Sequence, residues 1–60
     1  MFAGSARQLA PLLGIQPRYL NEAVRRGELF AHRIGNRDLL VAVEVLAWLK
    51  SKPAKEFHHG

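Results

Sequence analysis

The sequence predicts a small α+β domain in the order helix, helix, β-hairpin, helix, and three observations carry that expectation. Two short stretches with helical apolar spacing are separated by only Gly14, Ile15 and Gln16. After Gly27 the apolar period shortens to an alternation on both sides of a Gly35-Asn36 pair. From Ala42 the helical spacing returns and persists until Pro53 approaches.

The first helix is expected over Ala6 to Leu13. Ser5 and Gln8 form an S-x-x-Q capping box, in which each side chain satisfies a backbone N–H of the first turn. Ala6, Leu9, Ala10 and Leu13 then share a face, and Gly14 supplies the stop. Pro11 removes one backbone hydrogen bond and favours a kink there. Pro17 opens the second helix, at a position where its missing N–H costs nothing. Ile15 precedes it as an apolar plug, and Leu20, Ala23 and Val24 face the core. Gly27 ends it just after two arginines placed well for the helix dipole. The tight glycine-containing turn between these helices is a helix-turn-helix pattern. A hairpin follows near 30–41, with Phe30, His32 and Ile34 alternating before the two-residue turn and Arg37 to Val41 returning. A closing helix near 42–51 presents Val45, Trp48 and Leu49. The expected core is Leu9, Leu13, Ile15, Leu20, Val24, Phe30, Ile34, Val45, Trp48 and Leu49. Residues 1–53 would form the domain, and 54–60 a frayed polar tail.

Composition narrows the function. A chain of 60 residues buries only about 60% of its unfolded surface, so it has little stability to spare. With no cysteine, disulfides, zinc ribbons and thiolate chemistry are excluded. A net charge of +4 on so small a body points to a polyanion, nucleic acid before an anionic membrane. The most apolar run, Leu39 to Leu49, contains Glu44 and is about half the roughly 20 residues needed to cross a bilayer. No secretory pattern precedes it, so a cytoplasmic location is the expectation.

Catalytic groups are scarce. Ser5 is committed to a cap, and nothing in the spacing of Ser5, His32 and Asp38 recommends a triad. His58 and His59 are adjacent in the tail, whereas helical metal ligands stand three or four residues apart. No glycine-rich phosphate loop occurs. The expectation is a protein without enzymatic activity, metal or cofactor.

The arginines are better organised. Between Gln16 and Arg37 there are five, Arg18, Arg25, Arg26, Arg33 and Arg37, against Glu22 and Glu28, and no lysine. Guanidinium groups suit bidentate contacts to phosphate and to guanine edges. A helix and a hairpin carrying them dock in adjacent grooves of duplex DNA.

At this point the chain resembles a family. Ser5 to Leu20 (SARQLAPLLGIQPRYL) looks like the first two helices of excisionase-type and MerR-type winged helices. Val24 to Leu29 (VRRGEL) resembles their exit into the wing, Arg33 to Arg37 (RIGNR) the wing turn, and Val45 to Leu49 (VLAWL) the closing helix with its buried tryptophan. The resemblance covers Ser5 to Leu49 and implies a winged helix-turn-helix that binds double-stranded DNA. Small stand-alone members include excisionases (recombination directionality factors), which bind repeated sites cooperatively, bend DNA and steer an integrase toward excision. Small transcription regulators and the DNA-binding end of phage terminase small subunits share the fold. A protein-interaction module or inhibitor using the same fold is the rival from another class. The chain departs from the family at Glu22, at Asp38 and in the uncharged Leu39-Leu40-Val41 strand.

Carried onto this sequence, the resemblance implies that Gln16, Arg18, Tyr19 and Glu22 read bases from the second helix. Arg25 and Arg26 would hold phosphates, and Arg33 and Arg37 would reach phosphate or the minor groove. Glu22 would accept from a cytosine or hold Arg18 or Arg26 by helical pairing. Helical geometry turns Val43, Leu46 and Ala47 away from the core, and related sequences usually carry charge at the Leu46 slot. Val43 and Leu46 are therefore expected to mediate weak self-association between protomers on DNA.

Overall fold

The computed structural model describes residues 2–53; the expected tail, with His58 and His59, lies outside them. Three helices and one three-stranded antiparallel sheet follow in the order β1 (Ala3–Gly4), α1 (Ala6–Leu13), α2 (Pro17–Arg25), β2 (His32–Ile34), β3 (Arg37–Val41) and α3 (Ala42–Lys50). The small α+β fold is thus the one expected, with each helix boundary within one residue.

The helix ends show why. The Ser5 hydroxyl accepts from the Gln8 N–H at 3.2 Å while Gln8 Oε1 accepts from the Ser5 N–H at 2.9 Å, closing the capping box. The first helix runs on through Pro11 to Leu13. Gly14 and Gly27 both take left-handed backbone, at φ 74° and 80°. Each turns the chain so that the N–H of the residue after the glycine reaches back to a carbonyl of the helix's last turn. Ile15 donates to Ala10 at 3.1 Å and Glu28 to Ala23 at 2.8 Å. Both helices therefore close with the same double hydrogen-bonded motif.

In the hairpin, His32 pairs with Leu39, Arg33 with Asp38 and Ile34 with Arg37. The Gly35-Asn36 turn has positive φ at Gly35 alone, as a type II′ turn requires. On the other side of β3, Ala3 pairs with Val41 and Gly4 with Leu40, so β3 is central. β1 was not foreseen, because two residues carry no alternation to read. It also serves α3: the Ala42 N–H, which has no partner inside the helix, donates to the Phe2 carbonyl at 2.7 Å.

The buried core is Leu9, Ala10, Leu20, Ala23, Leu29, Leu40 and Val45, with Ala6, Leu13, Ile15, Val24, Ala42 and Trp48 packed around it. Three expected members are corrected. Phe30 and Ile34 are each 68% exposed and Leu49 is 38% exposed. For Phe30 and Ile34 the cause is a one-residue offset; Leu49 lies at the end of α3, lining the open groove toward α2. The left-handed turn at Gly27 brings Leu29, not Phe30, back onto α2, its N–H donating to the Ala23 carbonyl. In the strands, side chains alternate, so the face that contains buried Leu40 also contains Asp38 and Arg33. His32, Ile34, Arg37 and Leu39 take the other face. Trp48, expected to be buried, is only half-buried.

Candidate nucleic-acid interface

The second helix presents its polar side because its apolar side is consumed. Leu20 and Ala23 are buried and Val24 half-buried, leaving Arg18, Tyr19, Asn21, Glu22, Arg25 and Arg26 exposed. At 100° per residue these divide around the outer face. Asn21 and Arg25 lie toward the hairpin, where Asn21 and Val24 line a cleft with Ala31, Asp38 and Leu40, and Arg18 lies at the centre of the outer face. Tyr19 and Arg26 lie toward α3, lining a groove with Trp48, Leu49 and Lys52. Gln16 precedes the helix in extended backbone, and its side chain makes no cap hydrogen bond.

The charges sort into pairs and remainders. Glu22 stands 3.7 Å from Arg26, within ion-pair range, and also attracts Arg18, more weakly than the Tyr19 contact does. Across the hairpin, Asp38 stands 3.6 Å from Arg33. Glu28 accepts from Lys52 Nζ at 2.7 Å and from the Trp48 indole N–H at 2.8 Å. Glu44 meets His32 Nε2 at 2.9 Å. Every carboxylate among the described residues is thereby engaged. Arg18, Arg25 and Arg37 have no carboxylate partner among the described residues; nor do Arg7 and Lys50. These exposed pairs contribute little to stability, but they decide where positive charge is left over.

Arg18 has a different neighbour. Its guanidinium carbon lies 5.2 Å from the centroid of the Tyr19 ring, and Nη2 donates weakly to the phenol oxygen at 3.4 Å. The phenol contact raises the Arg18 pKa further above its ordinary value, so the charge is permanent. The lysine clamp acts oppositely on Glu28: hydrogen bonds from Lys52 and then Trp48 hold its carboxyl below the usual range.

The geometry brings some expected site residues together and separates others. Arg18, Tyr19, Glu22, Arg25 and Arg26 share the outer face of α2, as expected. Arg33 and Arg37 do not act as one pair, since they point to opposite faces of the hairpin. That separation follows from the two-residue turn, which fixes Arg33 opposite Asp38, and counting outward from Gly35-Asn36 would have found it. Val43 and Leu46 are exposed, at 68% and 49%. Leu46 lines an apolar cleft of about 190 Å³ with Leu9, Leu12, Leu13, Ala42 and Val45, while Val43 lies outside it. Leu12, 68% exposed, was missed; on α1 it follows the core pattern by one residue and has no other mark. The Glu28–Trp48–Lys52 cluster was also missed. Its one sequence signal is that an indole N–H near a core needs an acceptor.

The Ser5 hydroxyl is held in its cap and His32 is bonded to Glu44, so Ser5, His32 and Asp38 form no relay. Among the described residues no three His, Cys, Asp or Glu side chains converge as metal ligands, and no helix is long and apolar enough to cross a membrane.

Comparison with known proteins yields relatives without a described role. Uncharacterized proteins of Mycobacterium bovis and Mycobacterium tuberculosis are 36% identical to the chain over 53 residues, 88% of this chain and 46% of theirs. The chain therefore spans about half the length of the curated relatives it matches. No protein-family model matches it. No solved structure matches it significantly.

Proposed function

We propose that this chain is a winged helix-turn-helix protein that binds double-stranded DNA, with α2 in the major groove and the β2–β3 hairpin as the wing. The observation that carries the reading is the distribution of charge. All described carboxylates are engaged, while Arg18 and Arg25 on the outer face of α2 and Arg37 on the hairpin have no carboxylate within ion-pair distance among the described residues. Arg18, stacked near Tyr19, serves base readout together with Gln16, Tyr19 and Glu22. Arg25 and Arg37 serve phosphate, and contacts of that kind position a protein without specifying sequence. Arg26 and Arg33 reach phosphate by exchanging their carboxylate partners for it.

Within that reading, the resemblance of Ser5 to Leu49 to excisionases supports a role in DNA recombination, in which protomers occupy adjacent sites, bend the duplex and direct an integrase. Leu46 and Val43, joined by Leu12, supply an apolar surface for contact between neighbouring protomers on DNA. A small transcription regulator is the closest alternative within the same chemistry.

The decisive experiment is a salt titration of binding to a duplex carrying one site, followed by the same titration on two adjacent sites. With about four phosphates neutralised per protomer, log affinity should fall against log salt with a slope near −3.6. A flat titration rejects DNA binding and favours the protein-interaction rival. Leu46→Glu should leave the one-site curve unchanged and abolish cooperativity on two sites; surviving cooperativity removes α3 from the contact.

A further inference from the structure

A second surface gathers two of the chain's carboxylates. Beside the turn that follows α2, an open groove of about 620 Å³ runs between that turn and α3. Phe30, 68% exposed, and half-buried Trp48 provide its aromatic surfaces. Glu28 and Glu44 are its two carboxylates, and exposed Ala47 lies among them. Glu44, Ala47 and Trp48 fall on one side of α3, one helical turn from end to end. The unpartnered arginines of α2 and the hairpin tip contribute nothing to this lining.

One cation already occupies the groove. Lys52 Nζ is 2.7 Å from Glu28 Oε1 and 5.0 Å from the centroid of the Trp48 ring. A carboxylate joined to the face of a tryptophan is a site for an ammonium or guanidinium ion. Lys52, supplied by the chain itself, shows the geometry such an ion adopts there. Its replacement by another cation exchanges like for like, so Glu28 is never left without a partner. The indole N–H bond keeps the Glu28 carboxylate aimed while the exchange takes place. At the other end, Glu44 is held by His32 Nε2 at 2.9 Å.

We infer that this groove docks a basic polypeptide segment of a partner protein, whose lysine or arginine takes the place of Lys52 between Trp48 and Glu28. Aromatic surfaces accept the apolar stem of such a side chain, and the second carboxylate, Glu44, accommodates a further cation. Charge selects the partner: on a chain of net charge +4, this groove brings two carboxylates, Glu28 and Glu44, against one lysine, Lys52. The inference does not depend on DNA binding, and its test involves no DNA.

Trp48 is the single tryptophan, so its emission reports on the groove directly. The full chain is titrated with a short synthetic peptide alternating lysine and leucine, and with its counterpart carrying glutamate for lysine. The lysine peptide should shift the emission saturably and the glutamate peptide should not. Lys52→Met removes the internal competitor and should tighten the lysine peptide about threefold to fivefold. Glu28→Gln, which keeps an acceptor for the indole, should weaken it by about fivefold or more. Should that variant fail to fold by circular dichroism, Glu44→Gln provides the same test from the other end. Equal responses to both peptides, or an affinity unmoved by Lys52→Met, overturn the proposal. So does a concentration-dependent Trp48 shift with matching sedimentation in the absence of peptide, which assigns the groove to a second copy of the chain.

Discussion

The helix pair and the hairpin are held by different forces. α1 and α2 each bury two side chains, and the motifs that close them turn Ile15 and Leu29 back against the same core. β2 buries none, and β3 buries only Leu40. The hairpin is kept in place from its margins, by pairing with Ala3 and Gly4 and by the His32–Glu44 bond to α3. Burial fixes α2, so residues on its outer face inherit the geometry of the core. The hairpin's position rests on a few exposed polar contacts and one leucine. In the DNA-binding reading, this assigns sequence readout to α2 and adjustable backbone contact to the hairpin.

The sharpest way to break the comparison is to remove one side chain from each region. Leu20 is fully buried, and Leu20→Ala should cost about 2–5 kcal/mol, much of the stability of so small a domain. Ile34→Ala, on the exposed face of the hairpin, should change stability by less than about 0.5 kcal/mol. Urea melts followed by Trp48 emission measure both, and comparable losses would show that the hairpin face is buried after all.

The next effect is on binding. Arg18→Ala should cost about 1–3 kcal/mol on the preferred duplex and relax sequence preference. Arg37→Ala should weaken all duplexes by a similar factor. A competition assay against mismatched sites separates the two. If Arg37→Ala altered site choice and Arg18→Ala did not, the roles of helix and hairpin would be reversed.

The smallest effect concerns Glu28, where the turn after α2 meets α3. Its folded pKa lies below the ordinary value because Lys52 and Trp48 donate to the ionised form. The stabilisation is therefore complete above the unfolded carboxyl's pKa and is lost as pH falls through the folded one. Stability should decline slightly on acidification, and Glu28→Gln should flatten that decline. An unchanged acid limb in the variant would mean that the clamp contributes no pH dependence.

Much of the helical architecture was readable because its signals are local. Ser5 with Gln8, Gly14, Pro17 and Gly27 each act within one turn of the residues they organise, and the helix ends fall where they indicate. The core was read less well. Alternation beginning at Phe30 selects the wrong set by one position, because the Gly27 turn decides that Leu29 enters. The Ala3–Gly4 strand and the Glu28–Trp48–Lys52 cluster join residues far apart in the chain, with no periodicity to announce them. Within the candidate interface, the basic face of α2 was visible as a helical pattern. Which arginines keep free charge depends on cross-strand register and on carboxylates brought close by folding.

The first strand also imposes an order of events. The α1–α2 contacts lie within one short stretch of chain and close small loops, which lets them form early. Gly4 can pair with Leu40 only after the whole helix pair and hairpin lie between them. During synthesis, the partner of the first strand leaves the ribosome long after the helix pair is complete. The Phe2 carbonyl, which receives the Ala42 N–H, waits equally long. The first strand thus joins residues almost forty positions apart, and it locks the joint between β3 and α3.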